Sequence, residues 1–191
     1  MKTLLRRDDN IEIIRLQSLA GVDRWRTAFA GTYQAVWSDP PYNERFFPDE
    51  AEGVLRRAML YSDNINLLAV KDSGVVAGFG ICYPVGANAG IVREIRGILP
   101  IEHTFYFADL GVLEAYRGRK LGTQLIDLRL SLIDRSRYHH VLMRISAVRD
   151  ATYELYRRRG FVDTGVYTEV STRRNDGMTS TDRRVYLSMD L

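Results

Sequence analysis

The sequence predicts a single α/β domain spanning residues 1–191, with a mixed central sheet flanked by helices in the order β-αα-βββ-α-β-α-ββ. Three observations carry this expectation. Apolar residues switch repeatedly between a period of two and a period of three to four along the chain. A strand-like run from Phe105 to Leu113 passes through a short basic turn straight into an amphipathic helix. The 191 residues, 46% of them hydrophobic, suffice for one sizeable core, and no repeat, low-complexity tract or linker divides them.

The elements follow in order. Ile11 to Leu16 reads as the first strand. Trp25, Phe29, Tyr33, Val36 and Trp37 recur at helical spacing until Pro40-Pro41 ends the helix. Pro48, followed by Asp49, Glu50 and Glu52, opens a second helix that turns Val54, Leu55, Ala58 and Met59 inward. Asn66 to Lys71 and Val75 to Tyr83 form two strands around the turn Asp72-Ser-Gly74, and Thr104 to Leu113 forms the next. The helix after the basic turn is expected to bury Leu121, Leu125, Leu128 and Leu132 and to end near Arg137. His140 to Ile145 is a short strand, after which Asp150 caps a helix that Gly160 closes. Two last strands, near Val162–Ser171 and Arg183–Met189, flank a polar turn at Asn175-Asp-Gly177. Gly86 to His103 and Pro41 to Phe47 read as irregular connections.

Composition narrows the function classes. No apolar run approaches the roughly 20 residues of a membrane span. The start, Met1 to Asp9, is basic without a sustained apolar stretch, so no signal peptide is expected. Cys82 is the only cysteine and lies in an apolar run, which suits a reducing cytoplasm and a core thiol rather than a nucleophile. The net charge of +3 is modest. Its basic clusters, Arg117–Lys120 and Arg157–Arg159, come with no nucleic-acid module, and the second complements the end of a helix. His139-His140 on a strand would point to opposite faces, and no paired cysteine or HExxH spacing accompanies them, so no metal is assigned.

The basic turn is the most informative segment. A strand, a tight turn and a helix N-terminus present unpaired backbone N–H groups and the positive end of a helix dipole to one point, which suits a phosphate. Arg117, Arg119 and Lys120 add charge, and Gly118 and Gly122 allow close backbone approach. Neither a Walker loop nor GxGxxG is present. Tyr116-Arg-Gly-Arg-Lys-Leu-Gly122 resembles the pyrophosphate loop Arg/Gln-x-x-Gly-x-Gly/Ala of the GNAT N-acetyltransferase family, with Arg117 and Gly122 on its first and last fixed positions and Lys120 in place of its middle glycine. Leu155-Tyr-Arg-Arg-Arg-Gly-Phe161 resembles the family's Leu-Tyr-x-x-x-Gly-Phe helix; Arg149 and Thr152 stand where the family often has Asn and Ala. The second half of the chain carries the resemblance, and the first half matches in element order.

The resemblance implies an acetyltransferase fold and acetyl-CoA as co-substrate, with transfer of the acetyl group to the primary amine of a small molecule or peptide. Composition and motifs leave no nucleic-acid or membrane partner expected, and a homodimer is one expectation. The pyrophosphate would lie on Arg117, Gly118, Arg119, Lys120, Leu121, Gly122 and Thr123. The pantetheine would run beside Gly111, Val112 and Leu113, with the Val112 N–H facing the thioester carbonyl and Gly111 marking a bulge or a close backbone approach. Tyr156, a phenol protonated at neutral pH, is the candidate acid for the leaving thiolate and part of the cofactor site, with Tyr153 as rival. Asp109 interrupts an apolar run eight residues before Arg117, where burial would raise its pKa, and is the candidate base; Glu94, Glu102 and Glu114 are alternatives. A non-catalytic acyl-CoA-binding or regulatory module of the same fold is the alternative reading.

Overall fold

The computed structural model describes residues 2–8, 10–40 and 42–191. Its centre is an eight-stranded sheet in the order β1-β2-β3-β4-β5-β6-β8-β7. The strands are β1 (Lys2–Asp8), β2 (Ile11–Leu16), β3 (Ile65–Lys71), β4 (Val76–Pro84), β5 (Thr104–Val112), β6 (His140–Ser146), β7 (Val162–Arg173) and β8 (Thr179–Asp190). Every neighbouring pair is antiparallel except β5 and β6. That parallel pair holds together only over Thr104–Phe107 against His140–Met143, and beyond it the two strands part.

Helices cover both faces. On one side α1 (Leu19–Ser38) and α2 (Pro48–Leu60) bury Val22, Trp25, Phe29, Tyr33 and Leu55 against the sheet, with the short α3 (Ala89–Glu94) beside them. On the other side α4 (Leu121–Leu132) and α5 (Ala151–Arg157) bury Leu125, Ile126, Tyr153 and Tyr156 against Phe105, Phe107 and Val141. No helix among the described residues is long and apolar enough to cross a membrane.

Local chemistry sets the element ends. The Ser18 hydroxyl accepts from Gly21 N–H at 3.3 Å and starts α1. Of the Pro40-Pro41 pair expected to stop that helix, Pro41 lies outside the described residues; the helix ends at Ser38, just before them. Pro48 opens α2, and Glu50 accepts from the Phe47 N–H at 2.7 Å. The Asp150 carboxylate takes both the Thr152 and the Tyr153 N–H at 2.9 Å, as an N-cap does, and Gly160 closes the following turns at φ +90°.

Four expectations need correction. The sheet has a strand more than expected, because β1 pairs along β2. The Gly86–His103 segment is not irregular throughout: Asn88 caps α3 by accepting from Gly90 and Ile91, and Ile91 and Ile95 enter the core. Helix α4 ends at Leu132 rather than near Arg137, because Ile133 turns extended. It buries Ile126 and Arg129 more deeply than Leu128 and Leu132.

Candidate functional site

The parting of β5 from β6 creates the site. One residue of β5 is extra to its pairing with β4: Ile81 faces Asp109 and Cys82 faces Phe107, so Ala108 forms a bulge. Phe107 points to the α4 side, whereas Ala108 and Asp109 both lean to the α1 side, where Ala108 packs into that core and the Tyr33 hydroxyl lies 3.5 Å from Asp109 Oδ1. Gly111 does not mark this bulge. It is a close-approach glycine: a β-carbon there would meet Phe79 Cζ at 2.4 Å and Val36 Cγ1 at 3.0 Å.

Past the bulge, β5 keeps β4 on one side only. The Leu113 N–H donates to Ala77 O at 3.0 Å. Strand alternation therefore sends the Val112 N–H the other way, toward the gap left by β6.

Three adjoining cavities meet along this gap. A groove of about 580 Å³ runs over Leu110, Gly111 and Val112 to the turn of Arg117, Gly118 and Lys120 and the start of α4 at Leu121, Gly122 and Thr123. A narrow slot of about 70 Å³ lies where the strands separate, lined by Asp109, Arg129, Asp150 and Tyr156 among others. A pocket of about 450 Å³ opens on the α1 side, walled by Tyr33, Trp37 and Phe46 together with Glu44, Arg57 and Arg184. Asp109 borders both the slot and this pocket.

The basic turn has a left-handed backbone at two positions, Gly118 at φ +77° and Lys120 at φ +60°. The helix begins directly after Lys120, whose carbonyl takes the Gln124 N–H, so the N–H groups of the first turn have no acceptor further back in the helix. Arg117 is tied down: its Nε donates to Val112 O at 3.1 Å and its Nη2 pairs with Asp39 at 3.1 Å. Three residues that the sequence assigned to the cofactor, Leu113, Arg119 and Tyr156, do not line the groove. Leu113 packs on the α1 side, and Arg119 lies 5.7 Å from the Tyr116 ring centre.

Tyr156 is 2% exposed and packs edge to face with Phe161 at 5.4 Å, so it borders the slot but not the groove. Burial raises its pKa, opposed chiefly by the positive charge of Arg129. Asp109 is pushed up to about 6, chiefly by burial, with Arg129, Tyr33 and Arg184 opposing and Glu44 reinforcing the rise. Burial likewise pushes the Cys82 thiol up to about 12, and the thiol donates to Ile65 O at 3.4 Å, which leaves no ready thiolate.

The rivals sit elsewhere. Glu94 is held by Tyr186 at 2.6 Å and Arg144 at 3.2 Å, and Glu102 and Glu114 stand on short helical turns outside the three cavities. Tyr153 is core, 5% exposed. His139 stacks on His103, and His140 pairs with Asp190 at 2.7 Å.

Sequence reasoning missed Glu44 and Arg129. Glu44 is 5% exposed, pairs with Arg184 at 2.7 Å and has its pKa raised by burial. It belongs to the connection between α1 and α2, which walls the pocket, whereas the longer 86–103 segment borders none of the three cavities.

The acetyltransferase (GNAT) family matches residues 22–161 of the chain. No curated protein matches it in sequence. Among solved structures it is similar to ribosomal-protein-alanine N-acetyltransferase from Brucella melitensis, with TM-score 0.66 and 16% identity over 94% of this chain and 99% of that one. It is similar also to an N-acetyltransferase from Staphylococcus aureus Mu50, with TM-score 0.65 and 14% identity over 95% and 99% of the two chains. A third likeness is to the NatC complex bound to Gag peptide and CoA, with TM-score 0.61 and 14% identity over 95% and 99%. At these identities the likeness is one of fold.

Proposed function

The chain belongs to the acetyltransferase (GNAT) family, and from that premise we propose that it moves an acetyl group from acetyl-CoA to a primary amine by direct attack in a ternary complex. The observation that carries this reading is the meeting of three cavities along the gap between β5 and β6, with Asp109 common to the slot and the wider pocket. The groove fits the cofactor: its turn offers free amides and the Lys120 charge, and its long side offers the unpaired Val112 N–H. The α1-side pocket takes the amine of a small molecule or peptide. When bound, acetyl-CoA supplies the thioester whose carbonyl carbon accepts the amine.

Each role falls to a group of this chain. The amides of Lys120 to Thr123, with Gly118 and Arg117 shaping the turn, hold the pyrophosphate. Arg117 orients the end of β5 through Val112 O and ties it to Asp39 at the end of α1. The Val112 N–H stabilises the oxyanion. Asp109, with a pKa near 6, is ionised at neutral pH and takes a proton from the acceptor ammonium, directly or through water. Tyr156 stays protonated and gives its hydroxyl proton to the leaving sulfur.

Incubation with acetyl-CoA and a panel of amines, with free thiol as readout, tests the reading. Thiol release that depends on one amine is the expected result. Tight CoA binding without turnover across a broad panel would favour a non-catalytic acyl-CoA module.

Two substitutions test the groove. A β-carbon at Gly122 would have only Val112 Cγ2 within 4 Å, at 3.8 Å, so the fold accepts it and the groove does not. Gly122→Val should melt close to wild type and bind CoA at least tenfold more weakly, about 1.4 kcal/mol by calorimetry. Unchanged affinity would remove the 117–122 turn from the cofactor site. Lys120 holds a left-handed backbone that costs a non-glycine residue about 1 kcal/mol or more. Lys120→Gly should therefore raise the melting temperature of the free protein by roughly 2–4 °C per kcal/mol of strain relieved. The same change should weaken CoA through the lost charge.

A further inference from the structure

Arg129 is the largest fully buried side chain of the described residues, and nothing in the mechanism above uses it beyond its electrostatic effect on its neighbours. Its place on α4 is built around it. Gly80 on β4 leaves the room: a β-carbon there would lie 3.0 Å from Arg129 Nε and 3.1 Å from Cδ. The guanidinium carbon sits 4.1 Å from the centre of the Phe107 ring. Nε donates to Leu125 O at 3.3 Å, and Nη1 to Asp109 O, in the bulge, at 3.2 Å.

Nη2 is buried and has no hydrogen-bond partner, and no carboxylate among the described residues forms an ion pair with this guanidinium. Withdrawing a cation from water costs several kcal/mol, and an unmet N–H adds to that, so the arrangement is expensive for the resting fold. The side chain borders the slot shared with Asp109 and Tyr156.

We propose that Arg129 is a positioning residue for proton donation by Tyr156: its unpaired Nη2 N–H and its fixed charge hold the phenolate oxygen left when the proton has gone to the departing sulfur. This rests on the reading of Tyr156 as the acid. The step balances without any further reagent. The amine lone pair forms the carbon–nitrogen bond, and the carbon–sulfur bond breaks with its electron pair on sulfur. Sulfur takes the Tyr156 proton. The nitrogen, on becoming an amide, returns a proton to the phenolate, and Asp109 releases the first ammonium proton to solvent. A buried phenolate without a cation would be prohibitive, and the unmet N–H is the partner it lacks.

Other charged or titratable groups face the slot: Asp109 from β5, Arg144 from β6, Arg184 from β8, Asp150 at the cap of α5 and Tyr42 from the connection after α1. Cys82 from β4 and Arg159 after α5 also act on Tyr156. Of the arginines bordering the slot, Arg129 alone is wholly buried; Arg144 and Arg184 are ion-paired to Glu94 and Glu44.

The test combines a titration with a rate cycle. With fluorinated tyrosine incorporated, ¹⁹F NMR of the ligand-free protein follows ionisation of Tyr156, assigned by its loss in Tyr156→Phe. In Arg129→Met that titration should move to higher pH by about one pH unit or more, since Arg129 is the foremost charge opposing the rise and a nearby cation typically moves an ionisation by about 1–3 pH units. In thiol-release assays, Arg129→Met and Tyr156→Phe should each lower turnover, and the double variant should be no slower than Tyr156→Phe alone. If Arg129→Met does not fold, Gly80→Ala, whose methyl group displaces the guanidinium, carries both measurements. An unmoved Tyr156 titration, or losses that multiply in the double variant, overturns the role of Arg129. Wild-type turnover in a folded Tyr156→Phe protein overturns the acid reading beneath it, a result separate from either.

Discussion

Asp109→Asn is expected to lower turnover of an alkylamine by about 10²–10⁴-fold near neutral pH, the usual contribution of a general base. The loss should shrink as pH rises and free amine becomes abundant, and acceptors of low amine pKa should barely notice the change. The acidic limb of the wild-type kcat/KM profile should fall near the Asp109 pKa of about 6 and vanish in the variant. Stability should move the opposite way. The folded pKa of Asp109 lies above the ordinary carboxylate value of 3.8, chiefly through burial. The native state therefore binds the proton more tightly than the unfolded chain, and that stabilisation is complete below about pH 4 and lost as pH rises through 6. Each pH unit that separates the folded from the unfolded pKa is worth about 1.36 kcal/mol, so the loss is at most ~3 kcal/mol. Asn carries no charge to bury, so the melting temperature of Asp109→Asn relative to wild type should climb between pH 4 and pH 7. A uniform rate loss for all acceptors, with a variant less stable at every pH, would make Asp109 structural.

Tyr156→Phe should keep the fold and the CoA affinity while turnover falls by about 10²-fold or more. Packing is preserved, because the ring that meets Phe161 edge to face at 5.4 Å is unchanged. The removed hydroxyl matters only when sulfur departs. Acyl donors whose thiols are strong acids leave as stable thiolates and should restore most of the lost rate, whereas changing the basicity of the amine should not. A variant equally slow with every donor would place the defect in binding or positioning instead.

How far the sequence is legible follows from what each residue must do. The basic turn reads well because left-handed backbone and phosphate binding both favour Gly and cations, and the one departure, Lys120, adopts the left-handed geometry regardless. Asp109 reads well because a carboxylate inside an apolar strand has few reasons to be there. Arg129 does not, since a charged residue between leucines on an amphipathic helix looks like a solvent-facing position. Its trace is Gly80, one of two glycines in β4, where a β-carbon would crowd Arg129. The buried face of α4 differs from the expected one for the same reason: its stripe runs through Leu125, Ile126 and Arg129, and an arginine carries no apolar signal. Strand β1 hides among charged neighbours, and α3 has six residues, too few for a period to emerge. The bulge at Ala108 depends on the β4 partner, which local sequence does not specify.

The wall of the α1-side pocket is closed by segments far apart in the chain. Glu44 bridges to Arg174, Arg45 N–H donates to Arg173 O at 2.7 Å, and Asn175 N–H donates to Asn43 O at 2.9 Å. These contacts join the tip of the β7–β8 hairpin to the connection after α1, across most of the length of the chain and with few apolar side chains between them. Such a clasp has a high loop-closure cost during folding and little hydrophobic reward, so it forms late and opens at a lower free energy than the sheet beneath it. The pocket on the α1 side is thus walled by a clasp that opens more easily than the sheet, whereas Arg129 and Tyr156 in the adjoining slot are fully buried. Local opening of the hairpin tip would widen that pocket while the slot lined by Asp109, Arg129 and Tyr156 stays closed.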